Sequence, residues 1–405
     1  MQLIKVRKFT RPKKSFRQEM MKFNVRFIRR NSIMVLYLFI ALLLAFYRIV
    51  IGRATRYLMV LPYYKANSIS SEKVSVIIPA RNEENNIARC LDALLQQTLP
   101  VDQMEIIVVD DGSSDRTGAV VVGYATRGVR IVRLENEAQG KKAALTKGIA
   151  LATHPIIVTT DADCVYLPNW LNTLLCFRAE HDAVFVAAPV KYTKEKNFFE
   201  RFQSLDFLSL QGITAAAVSK EIFNMCNGAN LLYTKDAFKK VNGFAGIDHL
   251  PTGDDMLLME KMQSAFPRKI KYCFSQDVIV ETLPAAGLRV FIQQRIRWAS
   301  KSTSYKNTNI KLVLLLVYWV NLSLLVMLIA GVYDLQYLKW GMLLMLVKTI
   351  FEFPFMIRIA RFFGKQDLLP WFIIAQPFHI VYIVLSASLS FFKRYEWKER
   401  LTVNS

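Results

Sequence analysis

"MEIIVVDDGSSD", residues 104 to 115, decides how the chain folds. An unbroken apolar run, Ile106 to Val109, leads straight into two carboxylates and a Gly-Ser-Ser turn. A strand with one face in water alternates polar and apolar residues, whereas one covered on both faces is apolar throughout. This strand is therefore expected in the middle of a covered sheet. Working outward, "VSVIIP" (74 to 79), "VRIVRL" (129 to 134), "PIIVTTD" (155 to 161) and "DAVFVAAPV" (182 to 190) repeat the pattern. Helical stretches fill the gaps at Glu83 to Gln96, Ser114 to Ala125 and Lys141 to Ala152. The series is βαβ, which predicts an α/β fold with a mostly parallel sheet and helices on both faces.

Length and composition add a second part. The chain has 405 residues, more than a single core usually holds. "SIMVLYLFIALLLAFYRIVIG" (32 to 52) carries only Arg48 as a charge and is long enough for a hydrocarbon core of about 30 Å. It lacks the short apolar core of a signal peptide, so it reads as an anchor. "IKLVLLLVYWVNLSLLVMLIAGVY" (310 to 333) and "LPWFIIAQPFHIVYIVLSASLSFF" (369 to 392) read as two further spans. A third segment between them, 340 to 357, contains Lys348 and Glu352, costly in lipid unless paired at i,i+4 or turned toward other helices. The expected organisation is a basic segment (1–31), a transmembrane helix (32–52), a catalytic domain (73–285), an amphipathic interface helix (286–309), two or three transmembrane helices (310–392) and a basic tail (393–405).

The formal charge of +21 is unevenly spread: residues 1 to 30 hold eleven Lys or Arg against Glu19 alone. Beside a membrane span such a segment points to anionic lipid or topology, not to nucleic acid. Five cysteines without CxxC spacing and four unclustered histidines predict reduced, non-ligating side chains.

Open parallel sheets bind ligands at the carboxyl ends of their strands. "PARNEEN" (79 to 85), "DDGSSD" (110 to 115) and "DADC" (161 to 164) all fall at such ends. Each alone has a plain reading as a helix cap or solvated charge. Together they describe one polar crevice, and the lack of GxGxxG or Walker A spacing argues against a dinucleotide or P-loop site.

The ordered set "VSVIIPARNEENNI", "EIIVVDDGSSDRT", "GKKAALTKGI", "VTTDADC", "GDDMLL" and "QQRIRW" resembles the family 2 glycosyltransferases of GT-A fold. Within that family it looks most like the membrane-embedded cellulose, chitin, hyaluronan and poly-N-acetylglucosamine synthases. The resemblance covers roughly residues 73 to 300 and implies a UDP-sugar donor and an Mg²⁺ or Mn²⁺ cofactor. Asp161-Ala162-Asp163 resembles the DxD motif, with Asp163 as metal ligand and Asp161 nearer the ribose and diphosphate; hard carboxylate oxygens suit such cations. Pro79, Arg81 and Glu83 resemble the segment around the nucleobase, with Asp110 or Asp111 accepting from it. Lys142 is a candidate for the nucleotide, or ordinary surface charge. Thr252-Gly253-Asp254-Asp255 resembles the motif whose last carboxylate is the catalytic base, here Asp255, with Asp254 orienting the acceptor. Gln294, Arg297 and Trp298 match QxxRW, which places the arginine toward the leaving diphosphate and the tryptophan beside the acceptor. Their i, i+3, i+4 spacing puts them on one helix face. Arg295 is expected at lipid headgroups or on the domain surface.

Residues 198 to 218 read as a core-facing helix, with Gln203 and Gln211 as candidate acceptor contacts. The resemblance implies an inverting hexosyltransferase in a bacterial inner membrane, its catalytic domain in the cytosol, extending a polysaccharide. So few spans suggest a homo-oligomer or an export partner. A glycolipid-forming transferase such as ceramide glucosyltransferase is the alternative, and a non-catalytic scaffold or nucleotide-sugar sensor the third reading. A cytosolic domain after one span would leave the basic N-terminus outside, against the positive-inside rule. A later start at Met20, Met21 or Met34, a hairpin within 32 to 64, or override by the large domain would each resolve this.

Overall fold

The computed structural model describes residues 14–134, 140–248, 253–300, 305–390, 394–397 and 400–403. Residues 1–13 of the basic segment, parts of the tail and Thr252 lie outside the described residues. In chain order the first elements are α1 (Lys14–Val60), β1 (Val74–Ala80), α2 (Ile87–Leu95), β2 (Met104–Asp110), α3 (Thr117–Val122), β3 (Val129–Arg133), α4 (Lys141–Leu151) and β4 (Ile156–Thr159). Then come α5 (Trp170–Glu180), β5 (Phe185–Ala187), β6 (Val190–Tyr192), α6 (Phe198–Ser219), β7 (Leu231–Thr234), α7 (Lys235–Lys240), α8 (Met256–Ala265), β8 (Ile270–Tyr272) and β9 (Val280–Thr282). The chain ends in α9 (Leu288–Ser300), α10 (Thr308–Ala330), α11 (Leu335–Phe363), α12 (Leu369–Ser390) and a tail pair, β10 (Arg394–Trp397) with β11 (Arg400–Val403).

The main sheet runs β3-β2-β1-β4-β7-β5-β8, and every neighbouring pair is parallel except the two that involve β7. This is the expected α/β sheet with one reversed strand. Because β7 runs backward, its first residue Leu231 pairs with Thr159 at the carboxyl end of β4. The preceding loop, Asn227 to Asn230, is thereby delivered to the edge where the other strands end. "DAVFVAAPV" does not form one strand: it breaks after Ala187, and β6 leaves to pair with β9 in a second small sheet. Close packing of helix on sheet is visible at Gly148 of α4, where a Cβ would stand 2.5 Å from Ile77 Cγ2.

Two helices begin later than their sequence suggests: α2 at Ile87 instead of Glu83, and α3 at Thr117 instead of Ser114. The backbone N–H groups of Asn82, Glu83 and Glu84 are taken by Ser113 Oγ (3.1 Å), Thr117 Oγ1 (2.7 Å) and Asp115 Oδ2 (3.1 Å). Those bonds hold 82–84 as a turn against the β2–α3 loop, so α2 starts at Ile87.

Three helical segments among the described residues are long and apolar enough to cross a membrane: Met34–Val60, Thr308–Ala330 and Gln366–Ser390. The hairpin considered for 32 to 64 is overturned, because α1 is continuous through Val60. α11 packs against α1 and α10. Its Lys348 and Glu352 are buried and paired at 2.7 Å, and Gln376 of α12 bonds both, at 3.0 and 2.8 Å. Tyr47 of α1 also donates to Glu352. The polar pair that made 340 to 357 doubtful as a span is thus an internal junction of three helices. One core continues from Ile77 on the sheet through Leu208 of α6 to Phe355 of α11 and Leu44 of α1.

Removing one partner of a buried pair strands the other charge, at a cost of about 3 to 5 kcal/mol. Lys348→Ala is therefore expected to lower the detergent-solubilised melting temperature sharply, and adding Glu352→Leu to recover most of it. A thermal scan of the single and double variants checks this.

Candidate functional site

The carboxyl edge of the sheet gathers the polar motifs. Asp161 and Asp163 follow β4; Asp254 and Asp255 lead into α8, after a glycine at φ +91° where a Cβ would meet Leu257 Cδ1 at 2.6 Å. Lys141, the first residue of α4, puts its Nζ 2.7 Å from Asp161 Oδ1 and 3.2 Å from Asp254 Oδ2. Burial would lower its pKa, but the two carboxylates outweigh that and raise it. Lys142, the nucleotide candidate in the motif, is not the lysine at this cluster. It turns away and donates to the carbonyl of Ile247. Spacing does not separate the two lysines: Lys141 lies at i−3, i−4 and i−7 from buried Ala144, Leu145 and Gly148, and Lys142 at i−3 and i−7 from buried Leu145 and Ile149.

Asp163 accepts from Thr282 Oγ1 (3.0 Å) on β9 and from Cys164 Sγ (3.5 Å). Burial, with Asp161 and Glu83 nearby, nevertheless raises its pKa. Burial likewise pushes the Cys90 thiol behind it up to about 12, and all five cysteines are free. Asp255 caps α8, accepting from Met256 N at 2.7 Å. The capping reading of this motif thus holds for the same carboxylate proposed as base. Gly228 packs under the cluster, where a Cβ would lie 3.0 Å from Lys141 Nζ and 3.1 Å from Asp254 Oδ2.

A cavity of about 840 Å³ opens from this cluster. Its lining takes in Lys141, Asp161, Asp163, Asp254 and Asp255, together with Gln294, Arg297 and Trp298 of α9. The rest of its lining is mostly apolar side chains of the helical bundle, among them Leu314, Phe355, Met356 and Ile383, interrupted by Asp206, Glu352, Gln376 and His379. Pro79, Arg81, Glu83, Asp110 and Asp111 stand outside it, over the ends of β1 and β2. There Arg81 Nη1 donates to Asp111 O (2.8 Å), while Asp111 Oδ1 accepts from Gly140 N (2.9 Å) at the start of α4. Asp110 faces the other way, toward Ser113 N (2.9 Å) and Arg133 Nε (3.7 Å). Gln203 is spent on both backbone groups of Ala285, as a core residue would be, while Gln211 accepts from Val190 N and also lines the cavity.

Arg295 is the largest departure from expectation. It is 4% exposed, its Nη2 lies 2.6 Å from Asp206 Oδ2 of α6, and it stacks over Phe291 and Trp298. It reaches neither headgroups nor the domain surface. Among the described residues no three His, Cys, Asp or Glu side chains group as a metal cage. The donor set here is a pair of carboxylates, one with its ionisation disfavoured by burial and by its acidic neighbours, and in this structure the ammonium of Lys141 supplies the nearest positive charge to Asp161. Such a set fits a divalent cation that takes its remaining oxygens from phosphate and water.

Comparison with known proteins agrees with this geometry. The family model for glycosyl transferase family 2 matches residues 75–241. The chain is 30% identical over 209 residues to the glycosyltransferase AglE of Haloferax volcanii, an alignment covering 51% of this chain and 65% of that one. It is 31% identical over 143 residues to a 4,4'-diaponeurosporenoate glycosyltransferase of Staphylococcus aureus, covering 35% and 37%. It therefore spans less than two thirds of either relative. Among solved structures, the mannosyltransferase PcManGT of Pyrobaculum calidifontis, in complex with GDP-Man and Mn²⁺, shares the fold with a TM-score of 0.57 at 21% identity, over 82% of this chain and 94% of that one. Residues 75–241 thus match glycosyl transferase family 2, on a sheet of GT-A fold with one reversed strand.

Proposed function

We propose that the chain transfers a sugar, with inversion, from a nucleoside diphosphate donor to a hydroxyl of an amphiphilic acceptor held at the membrane. The observation that carries this is the cavity, which joins the carboxylate cluster to apolar walls between helices able to span a bilayer. An export path for a hydrated polysaccharide would call for polar walls along its length. Leu314, Phe355, Met356 and Ile383 suit a hydrocarbon chain instead, so the glycolipid alternative is preferred over the polymer synthase.

In this reading Asp255 takes the proton from the acceptor hydroxyl as it attacks the anomeric carbon. Arg297 meets the departing diphosphate, for which a guanidinium is well shaped, and Trp298 offers an apolar floor to the acceptor. Asp163, with Asp161, would hold Mg²⁺ or Mn²⁺, which when bound neutralises the leaving diphosphate. Lys141 is added to the proposed site and Lys142 removed: its ammonium bridges the metal motif to Asp254 and would re-pair with phosphate as donor enters. Asp111, Arg81 and Glu83 form the nucleobase end. UDP was expected, and the GDP-Man held by PcManGT makes guanine donors part of the test. Nucleotide sugars are made in the cytosol, so the domain is placed on that side.

The test is to incubate membranes containing the protein with labelled UDP-glucose, UDP-N-acetylglucosamine and GDP-mannose, with Mn²⁺ or Mg²⁺, and partition the products. Label passing into the organic phase as a small species is expected. A large product degraded by a glycanase would overturn the acceptor class and restore the polysaccharide reading. Failure to release nucleotide from every donor would favour a scaffold.

A further inference from the structure

We infer that Asp206 and Arg295 are positioning residues for the acceptor side of the reaction, fixing Trp298 and tying it to membrane helix α12. This rests on the transferase reading above. Arg295 sits one turn before Trp298 on α9, and its guanidinium carbon lies 4.3 Å from the indole centroid. Phe207 approaches the indole at 5.9 Å, so α6 contributes to its seat through adjacent residues, the aromatic ring directly and Asp206 through the arginine. Arg295 Nη1 also donates to Gln294 Oε1 (3.0 Å), which Tyr192 OH reaches at 3.4 Å. From the membrane side Tyr382 of α12 donates to Asp206, and His379 Nε2 stands 3.9 Å away.

A buried ion pair is a poor way to gain stability, since well-packed apolar residues of similar volume do as well or better. What this pair provides is direction. It is a planar, five-donor group locked by a carboxylate, with one face spent on the indole. Asp206, Arg295, Tyr382 and His379 all line the cavity, so a chain lying there touches the support of Trp298 as well as the site itself. Occupancy of the cavity and the placement of the acceptor floor are thereby mechanically joined.

The experiment uses the purified full chain and three variants: Asp206→Asn, Arg295→Met, and the double Asp206→Asn/Arg295→Met. The double removes both charges while leaving Tyr382 an acceptor. Thermal stability is expected to fall in the single variants and to return in the double. Transfer from UDP-glucose, UDP-N-acetylglucosamine or GDP-mannose is measured to a polyprenol, a diacylglycerol and a long-chain alcohol, each in phosphatidylglycerol/phosphatidylethanolamine vesicles. In the double variant the acceptor-side kcat/KM should stay about tenfold to a hundredfold down, the scale of a small misplacement, with donor KM unchanged. The ¹⁹F resonance of 5-fluorotryptophan at position 298, assigned with Trp298→Phe, should shift or broaden in Arg295→Met. Wild-type acceptor kinetics in the double variant would reduce the pair to a stability element, and an unmoved resonance would overturn the inference without any turnover. A wild-type chain that uses no acceptor, with the resonance still moved by Arg295→Met, would instead count against the transferase reading alone.

Discussion

Asp255→Asn is expected to lower transfer about a thousandfold while leaving nucleotide binding and folding intact, within the range general-base removal produces. The substitution is chosen for its structural neutrality. Asp255 accepts from Met256 N as the cap of α8, and asparagine caps a helix as well as aspartate. Alanine would confound the result, because losing the cap costs about 1 kcal/mol by itself. The measurement is turnover at saturating donor, beside a nucleotide titration and a melting curve on the same preparation. Undiminished turnover in Asp255→Asn would remove it as the base and shift attention to Asp254, already engaged with Lys141.

Asp163→Asn should abolish metal-dependent nucleotide binding, and with it turnover, while the protein melts no lower than wild type. The two effects have one cause. Burial, Asp161 and Glu83 make the Asp163 carboxylate unfavourable in the free chain, so neutralising it relieves strain that a bound cation would otherwise relieve. Calorimetry of UDP and GDP binding with and without Mn²⁺ checks the first effect, and thermal unfolding the second. Because the folded pKa is raised, protons compete with the cation from a pH above the ordinary aspartate range. Metal affinity should therefore weaken as pH falls, earlier than for an unperturbed carboxylate near about 3.9. Nucleotide binding that keeps its metal dependence in Asp163→Asn would place the cation elsewhere.

The parts of this architecture legible in the sequence are those written in contiguous letters. β1, β2 and β4 carry apolar runs (Val76 to Ile78, Ile106 to Val109, Ile156 to Val158) while β3 alternates with arginine, and Asp161, Asp163, Asp254, Asp255, Gln294, Arg297 and Trp298 stand in short motifs that the fold brings to one cavity. β7, β8 and β9 have three or four residues each, too few for periodicity to register. α2 lost its first turn to side chains of the β2–α3 loop, a competition between local helix preference and a partner thirty residues away. The Lys141 and Lys142 exchange turned on one step of helix rotation. The fate of Arg295 depended on Asp206, on another helix, which no local reading of "QQRIRW" contains.

The reversed strand β7 carries a consequence for assembly. The block β3-β2-β1-β4 is made of neighbours in sequence, whereas β5 and β8 join it only through β7. Thr159 must wait about 70 residues of synthesis for its partner Leu231, and such long-range pairing is slow relative to local closure. During translation β1 to β4 can pair before the loop at Gly228, the carboxylates of Asp254 and Asp255, and the Thr282 that holds Asp163 exist. A ribosome-bound chain would thus pass through a stage with half its sheet built and its polar cluster unfinished, until one short strand is inserted backward.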